Sequence, residues 1–181
     1  MAKIVANFFI SLDGVVESPD QWHFPYWSDE MGAVVEAGMQ SAGAMLMGRK
    51  LYDEWSAYWT TTDIDQDAAK ALNSVRKYVV SNTLEKADWN NTTVVSGDVA
   101  ARLRDLKEQV AGDIQMSGSA TTVRWLLANG LLDELNLLVH PIAVGHGRRL
   151  FEDTPTHPLK LVKSETFQTG VLNLTYVPDA G

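Results

Sequence analysis

Apolar positions along this chain come in short, mostly unalternating runs separated by stretches with helical spacing. Residues 4–10, 44–47, 78–80, 94–95 and 114–116 carry few polar breaks, the pattern of strands buried on both faces. Residues 28–41 place Met31, Val34, Val35 and Met39 at helical intervals, with Ser28 and Asp29 available as caps. Residues 68–75 predict a shorter helix, and 99–110 put Val99, Leu103, Leu106 and Val110 on one stripe. Residues 121–129 carry Val123, Trp125, Leu126 and Leu127 before an Asn129-Gly130 stop. Strands alternating with helices imply right-handed crossovers and a parallel sheet. The last third changes character. Residues 135–144 predict a long strand interrupted by Pro141, and residues 159–167 and 171–177 flank Gln168-Thr169-Gly170 as a hairpin. Residues 18–27, with two prolines and two tryptophans, predict a long functional loop.

Two of the apolar runs end alike. Ala44-Met45-Leu46-Met47 meets Gly48-Arg49-Lys50, and Asp113-Ile114-Gln115-Met116 meets Ser117-Gly118-Ser119, each before a helix-like stretch. A strand that stops at glycine and turns into a helix leaves free N–H groups where the helix dipole is positive. Two such ends on one sheet could hold a two-phosphate ligand, which points to a dinucleotide. Gly48 and Gly118 allow close backbone approach, Arg49 and Lys50 supply cations, and Ser119-Ala120-Thr121 supplies hydroxyls near a helix start. An ordinary strand-to-helix turn is the plain alternative for each. Ser81-Asn82-Thr83, after the 78–80 run, offers donors and no carboxylate. An acid usually grips a free ribose 2′-hydroxyl at such a strand end, so this triplet favours NADPH over NADH. Gly97 is a weaker neighbour of the same ligand, and a helix cap accounts for Asp98. The chain has neither a GxGxxG fingerprint nor a Walker loop.

Composition narrows the classes. The 181 residues suit one domain spanning 1–181, and 45% hydrophobic with 21% charged content is ordinary for a globular chain. The absence of cysteine removes disulfide frameworks, thiolate metal sites and cysteine nucleophiles. A net charge of -8 disfavours broad contact with nucleic acid. The N-terminus lacks a signal-peptide cleavage region, and no run approaches about 18 apolar residues, so a cytoplasmic location without membrane contact is expected. His23, His140, His146 and His157 lack metal spacing, so no metal is expected.

The ordered strand ends carry a resemblance. Ile10-Ser11-Leu12-Asp13-Gly14, Met47-Gly48-Arg49, Val80-Ser81-Asn82-Thr83-Leu84 and Met116-Ser117-Gly118-Ser119 are followed by three further motifs. These are Gly130-Leu131-Leu132-Asp133-Glu134-Leu135, Pro141-Ile142-Ala143-Val144-Gly145 and Gly147-Arg148-Arg149-Leu150-Phe151. In this order the chain resembles the dihydrofolate-reductase-like superfamily, and within it the reductase domain of riboflavin biosynthesis (the RibD C-terminal domain) and its stand-alone relatives. The resemblance implies an α/β, dihydrofolate-reductase-like three-layer α/β/α domain with a mostly parallel central sheet and a C-terminal antiparallel hairpin. It implies NADPH as cofactor, with Gly48, Arg49 and Lys50, Ser81 and Asn82, Gly97, and Gly118, Ser119, Ala120 and Thr121 along its path. Related reductase domains are often dimers, so a homodimer is the expected assembly.

On the substrate side the resemblance points to Asp13, in the loop between cofactor and substrate, and to Asp29 or Glu30 at the start of the first long helix. An Asp-Gly turn and an acid-rich helix start are the bland explanations. Trp22, His23, Phe24, Tyr26 and Trp27 either stack a planar substrate or form a satellite core. The expected function is an NADPH-dependent reductase that delivers hydride to a small heterocycle, pterin-like or ribosylaminopyrimidine-like. The alternative is a dinucleotide-binding module without efficient catalysis. Deamination is excluded, because the deaminase's Cys ligands and His-x-Glu motif are missing. A serine hydrolase has no Gly-x-Ser-x-Gly elbow to rest on.

Overall fold

In the computed structural model, which describes residues 1–179, all strands join one eight-stranded sheet in the order β4-β3-β2-β5-β1-β6-β8-β7. Along the chain these are β1 (Ile4–Ser11), α1 (Asp29–Ser41), β2 (Ala42–Gly48), α2 (Arg49–Trp59), α3 (Gln66–Ser74), β3 (Lys77–Val80) and β4 (Thr92–Val95). There follow α4 (Val99–Gln109), β5 (Asp113–Met116), α5 (Ala120–Ala128), β6 (Glu134–His140), β7 (Leu159–Thr166) and β8 (Leu172–Pro178). Neighbours from β4 to β6 pair in parallel, whereas β8 pairs antiparallel with both β6 and β7.

The period-2 alternation of side chains splits the parallel strands between two cores. Ile4, Ala6, Phe8 and Ile10 of β1 lie with Ala44 and Leu46 of β2 and Ile114 and Met116 of β5. They pack with Val99 and Leu103 of α4 and Val123, Leu126 and Leu127 of α5. On the other face Met45, Met47 and Val79 meet Tyr52 of α2 and Leu72 of α3. Leu138 of β6 meets Met31 of α1 beside Phe167 and Val171. Helices therefore cover both faces, giving the expected three-layer α/β/α class with a mostly parallel sheet and a C-terminal antiparallel hairpin.

Local chemistry accounts for the helix starts. The Ser28 hydroxyl accepts the Met31 N–H, the Asp98 carboxylate accepts the Ala101 N–H, and the Ser119 hydroxyl accepts the Thr122 N–H. α5 runs into Asn129, and Gly130 follows at φ +62°, where a left-handed turn favours glycine. The end of α3 is stopped by a lysine. Lys77 is fully buried, and its ammonium donates to the carbonyls of Leu72 at 2.7 Å, Val75 at 2.8 Å and Asn73 at 3.3 Å. It also lies 4.7 Å from the centre of the Trp89 ring. Burial pulls its pKa down to about 8.

Three sequence expectations change. The strand predicted over 135–144 ends at His140, because Pro141 has no N–H for the ladder. Residues after it fold back onto the end of β1, where Leu12 N–H donates to Ile142 O at 2.8 Å. The run at 94–95 lies in an edge strand, with Thr93 exposed, Val94 half-buried and Val95 buried, since among the described residues no strand pairs beyond β4. The helix predicted from 68 begins two residues earlier, at Gln66.

Candidate dinucleotide site

In open α/β sheets, ligands bind outside the carboxyl ends of the parallel strands. Here β2 and β5 are neighbours, with Met45 opposite Gln115, so their glycine ends lie side by side. A Cβ added to Gly48 would stand 2.5 Å from the Thr122 hydroxyl and 2.7 Å from the Ser119 hydroxyl. Those two hydroxyls are themselves 2.9 Å apart. The first turns of α2 and α5 thus meet at a bare glycine flanked by two hydroxyls, with both dipoles positive there. Gly118 is held at φ +142°, a conformation that excludes side chains. Ala120 is buried and Thr121 exposed at the start of α5. This donor set fits a pyrophosphate: backbone N–H groups and hydroxyls at two neighbouring helix starts.

The cations beside the junction already have partners. Arg49 Nε lies 2.9 Å from both carboxylate oxygens of Asp53, and Lys50 Nζ is 3.8 Å from both Glu17 and Glu54. All are exposed, so these pairs are weak and salt-sensitive. Farther along the same edge, Ser81 is buried and its hydroxyl accepts the N–H groups of Thr83 at 3.2 Å and Leu84 at 3.1 Å. Asn82 is exposed, and its side-chain oxygen accepts the Gly97 N–H at 3.2 Å. The amide NH₂ of Asn82 is left to face outward. The strand ends therefore line up as Gly118-Ser119, Gly48 and then Ser81-Asn82 with Gly97.

The three candidate acids are not gathered around one point. Asp13 accepts the Ser11 hydroxyl at 2.6 Å, the Gly145 N–H at 2.8 Å and the Val144 N–H at 3.0 Å, with Arg149 Nη2 at 3.8 Å. The Ser11 bond first, then the two N–H groups, hold its pKa down at about 2. A carboxylate so fixed ties β1 to the segment after β6 and has no proton to give at neutral pH. Glu30 is half-buried and accepts the Gln168 N–H at 3.1 Å, which turns it toward the β7–β8 turn. Asp29 is exposed at the start of α1.

The aromatic loop divides. Trp22 and His23 are buried: the His23 ring stacks on Phe9 with centroids 4.8 Å apart, and His140 stands edge-on to Phe9, Trp22 and Tyr26. Burial, and for His23 also the proximity of His140, lowers both imidazole pKa values. Phe24 and Trp27 stay largely exposed and free to meet a ligand. His146 is exposed in its loop.

Sequence reasoning missed Thr122, whose only signal is its place three residues after Ser119. It also missed Arg124, which donates to the carbonyls of Arg149 at 3.2 Å and Leu150 at 3.0 Å. A cavity of about 820 Å³ lined by Arg76, Asn91 and Gln109 lies at the opposite edge of the sheet and takes no part in this site. Among the described residues, no helix is long and apolar enough to cross a membrane.

The three layers, the strand order and the ligand edge define a dihydrofolate-reductase-like α/β protein. The chain belongs to the RibD C-terminal domain family, which it matches over residues 2–173. It is 28% identical over 179 residues to the uncharacterized protein YyaP of Bacillus subtilis (strain 168), covering 96% of this chain and 94% of that protein. A protein of Shewanella sp. PV-4 named for riboflavin biosynthesis shares the fold with a TM-score of 0.78 at 22% identity, over 99% of both chains. A Thermotoga maritima diaminohydroxyphosphoribosylaminopyrimidine deaminase/5-amino-6-(5-phosphoribosylamino)uracil reductase aligns with a TM-score of 0.68 at 15% identity, over 98% of this chain and 57% of that one. Enterococcus faecalis dihydrofolate reductase, in a complex with NADP(H), aligns with a TM-score of 0.65 at 12% identity, over 98% and 96%. At these identities the structural likenesses speak for the fold.

Proposed function

We propose that this protein is an NADPH-dependent reductase of a small heterocycle, pterin-like or ribosylaminopyrimidine-like. One observation carries the proposal: the bare Gly48 between the Ser119 and Thr122 hydroxyls, where two helix N-termini converge on adjacent strand ends. When bound, NADPH supplies the hydride. Gly48, Gly118, Ser119, Ala120 and Thr121 hold the pyrophosphate, with Arg49 and Lys50 at its rim and Ser81, Asn82 and Gly97 at the adenosine end. Phe24 and Trp27 of the loop shield the reacting end from water. Asp13 ties the end of β1 to residues 144–145 as a positioning residue. Glu30 and Asp29, at the start of α1, are the acids assigned to the proton.

Kinetics and binding test this together. NADPH binds, measured by quenching of tryptophan fluorescence, and is oxidised with at least one member of a panel of dihydropterins and ribosylaminopyrimidines. E30Q lowers kcat and leaves the NADPH Kd unchanged. Binding without turnover across the panel shifts the assignment to a dinucleotide-binding module, and absence of binding refutes both.

A further inference from the structure

We infer that Asn82 sets the choice between phosphorylated and unphosphorylated dinucleotide, and that this chain binds NADH within about tenfold of NADPH. The inference rests on the dinucleotide reading above and concerns only its adenosine end. A ribose 2′-phosphate carries close to two negative charges and is selected by guanidinium or ammonium groups that make charge-assisted bonds. A free 2′-hydroxyl needs only a neutral partner. The distinction therefore turns on which cations are at hand.

The two cations beside the Gly48 junction are already matched. Arg49 is held by Asp53, with its Nε 2.9 Å from both oxygens, and Lys50 lies between Glu17 and Glu54. A pyrophosphate at the Gly48 junction would draw on these same two cations. Arg102 of α4 lines a groove on the flank of β4 with Thr93, Val94, Val95 and Asp105, one strand away from β3. Ser81, Asn82 and Thr83 at the end of β3 are neutral. The Ser81 hydroxyl accepts the N–H groups of Thr83 and Leu84 and lies 3.4 Å from the Thr83 hydroxyl. Asn82 is fixed through its oxygen by the Gly97 N–H, so its NH₂ is the outward donor.

The positive end of α4, the other attraction for an anion here, is answered by Asp98, whose carboxylate accepts the Ala101 N–H at 3.0 Å. Asp98 adjoins Gly97 and adds negative charge where a phosphate would need positive. One neutral amide donor contributes up to about tenfold in affinity, whereas a guanidinium contributes tenfold or more. No Cβ obstacle surrounds Gly97, and Asn82 is exposed, so the position accepts other side chains.

The test is fluorescence titration of NADPH and NADH, at one ionic strength, against the full-length wild type, N82R and N82D. Thermal melts with and without nucleotide give a second readout that is independent of activity. Wild type is expected to show Kd values within about tenfold of each other. N82R tightens NADPH by about tenfold or more and leaves NADH nearly unchanged. N82D weakens NADPH and spares NADH. A wild-type preference for NADPH beyond tenfold overturns the inference while leaving the dinucleotide reading intact, and so does a ratio that fails to move in both variants. Binding of neither nucleotide refutes that reading and this inference with it.

Discussion

Substituting Gly48 by alanine tests the junction on which the site depends. The new methyl would meet the Thr122 hydroxyl at 2.5 Å and the Ser119 hydroxyl at 2.7 Å, where ordinary contacts begin near 3.4 Å. Both hydroxyls must then move by several tenths of an ångström. Neither moves freely, because they bond each other at 2.9 Å and Ser119 caps α5 through the Thr122 N–H. A lost cap with modest overpacking costs about 1–2 kcal/mol. For a chain of this size that lowers Tm by about 2–8 °C. NADPH affinity falls by about tenfold or more, since the displaced hydroxyls leave the phosphate. Differential scanning calorimetry and nucleotide titration read the two effects separately. The double variant G48A/S119A sharpens the test. With one clashing hydroxyl gone, the combined loss is smaller than the sum of the single losses. Simple additivity would refute the contact reasoning. Normal NADPH binding by a destabilised G48A would reduce the junction to a fold element.

K77M removes three bonds to carbonyls at the end of α3 and the contact with Trp89, and is expected to cost about 2–3 kcal/mol in chemical denaturation with NADPH affinity unchanged. Lowering the pH below 6.5 destabilises the protein through His23 and His140, because the unfolded imidazoles take up protons near 6.5 and the buried ones only at lower pH. Their contribution is complete above 6.5, and Tm measured from pH 7.5 to 5 falls less steeply in H23F. Asp13 acts in a lower window: its contribution is present above about 4 and lost as pH falls toward 2, so D13N loses amide-exchange protection at Val144 and Gly145 already at neutral pH.

Much of this molecule is legible in one dimension. The unalternating runs around Ile4, Leu46, Val79 and Ile114 mark strands covered on both faces, because a parallel sheet with helices on each side leaves no polar face. Gly48 after Met47, and Gly118 two residues after Met116, mark the ends of two neighbouring strands, and at Gly48 a side chain would collide with the Ser119 and Thr122 hydroxyls. Caps at Ser28, Asp98 and Ser119 are local bonds, set by residues within three positions. Other features depend on contacts between distant residues. Nothing local announces that β5 inserts between β2 and β1, which is what sets Gly48 against Thr122. Asp13 looks like the acid of an Asp-Gly turn, and its charge is held first by the nearby Ser11 hydroxyl and then by Val144 and Gly145, more than 130 residues away. Lys77 reads as a surface lysine until the end of α3 closes over it. Hydrophobic period and turn chemistry are properties of neighbours in the chain, so the sequence alone determines the layers and where the strands end. Partners of charge and hydroxyl groups come from whatever the folded sheet brings alongside, so only the tertiary structure decides which acid is a strut and which donor stays free.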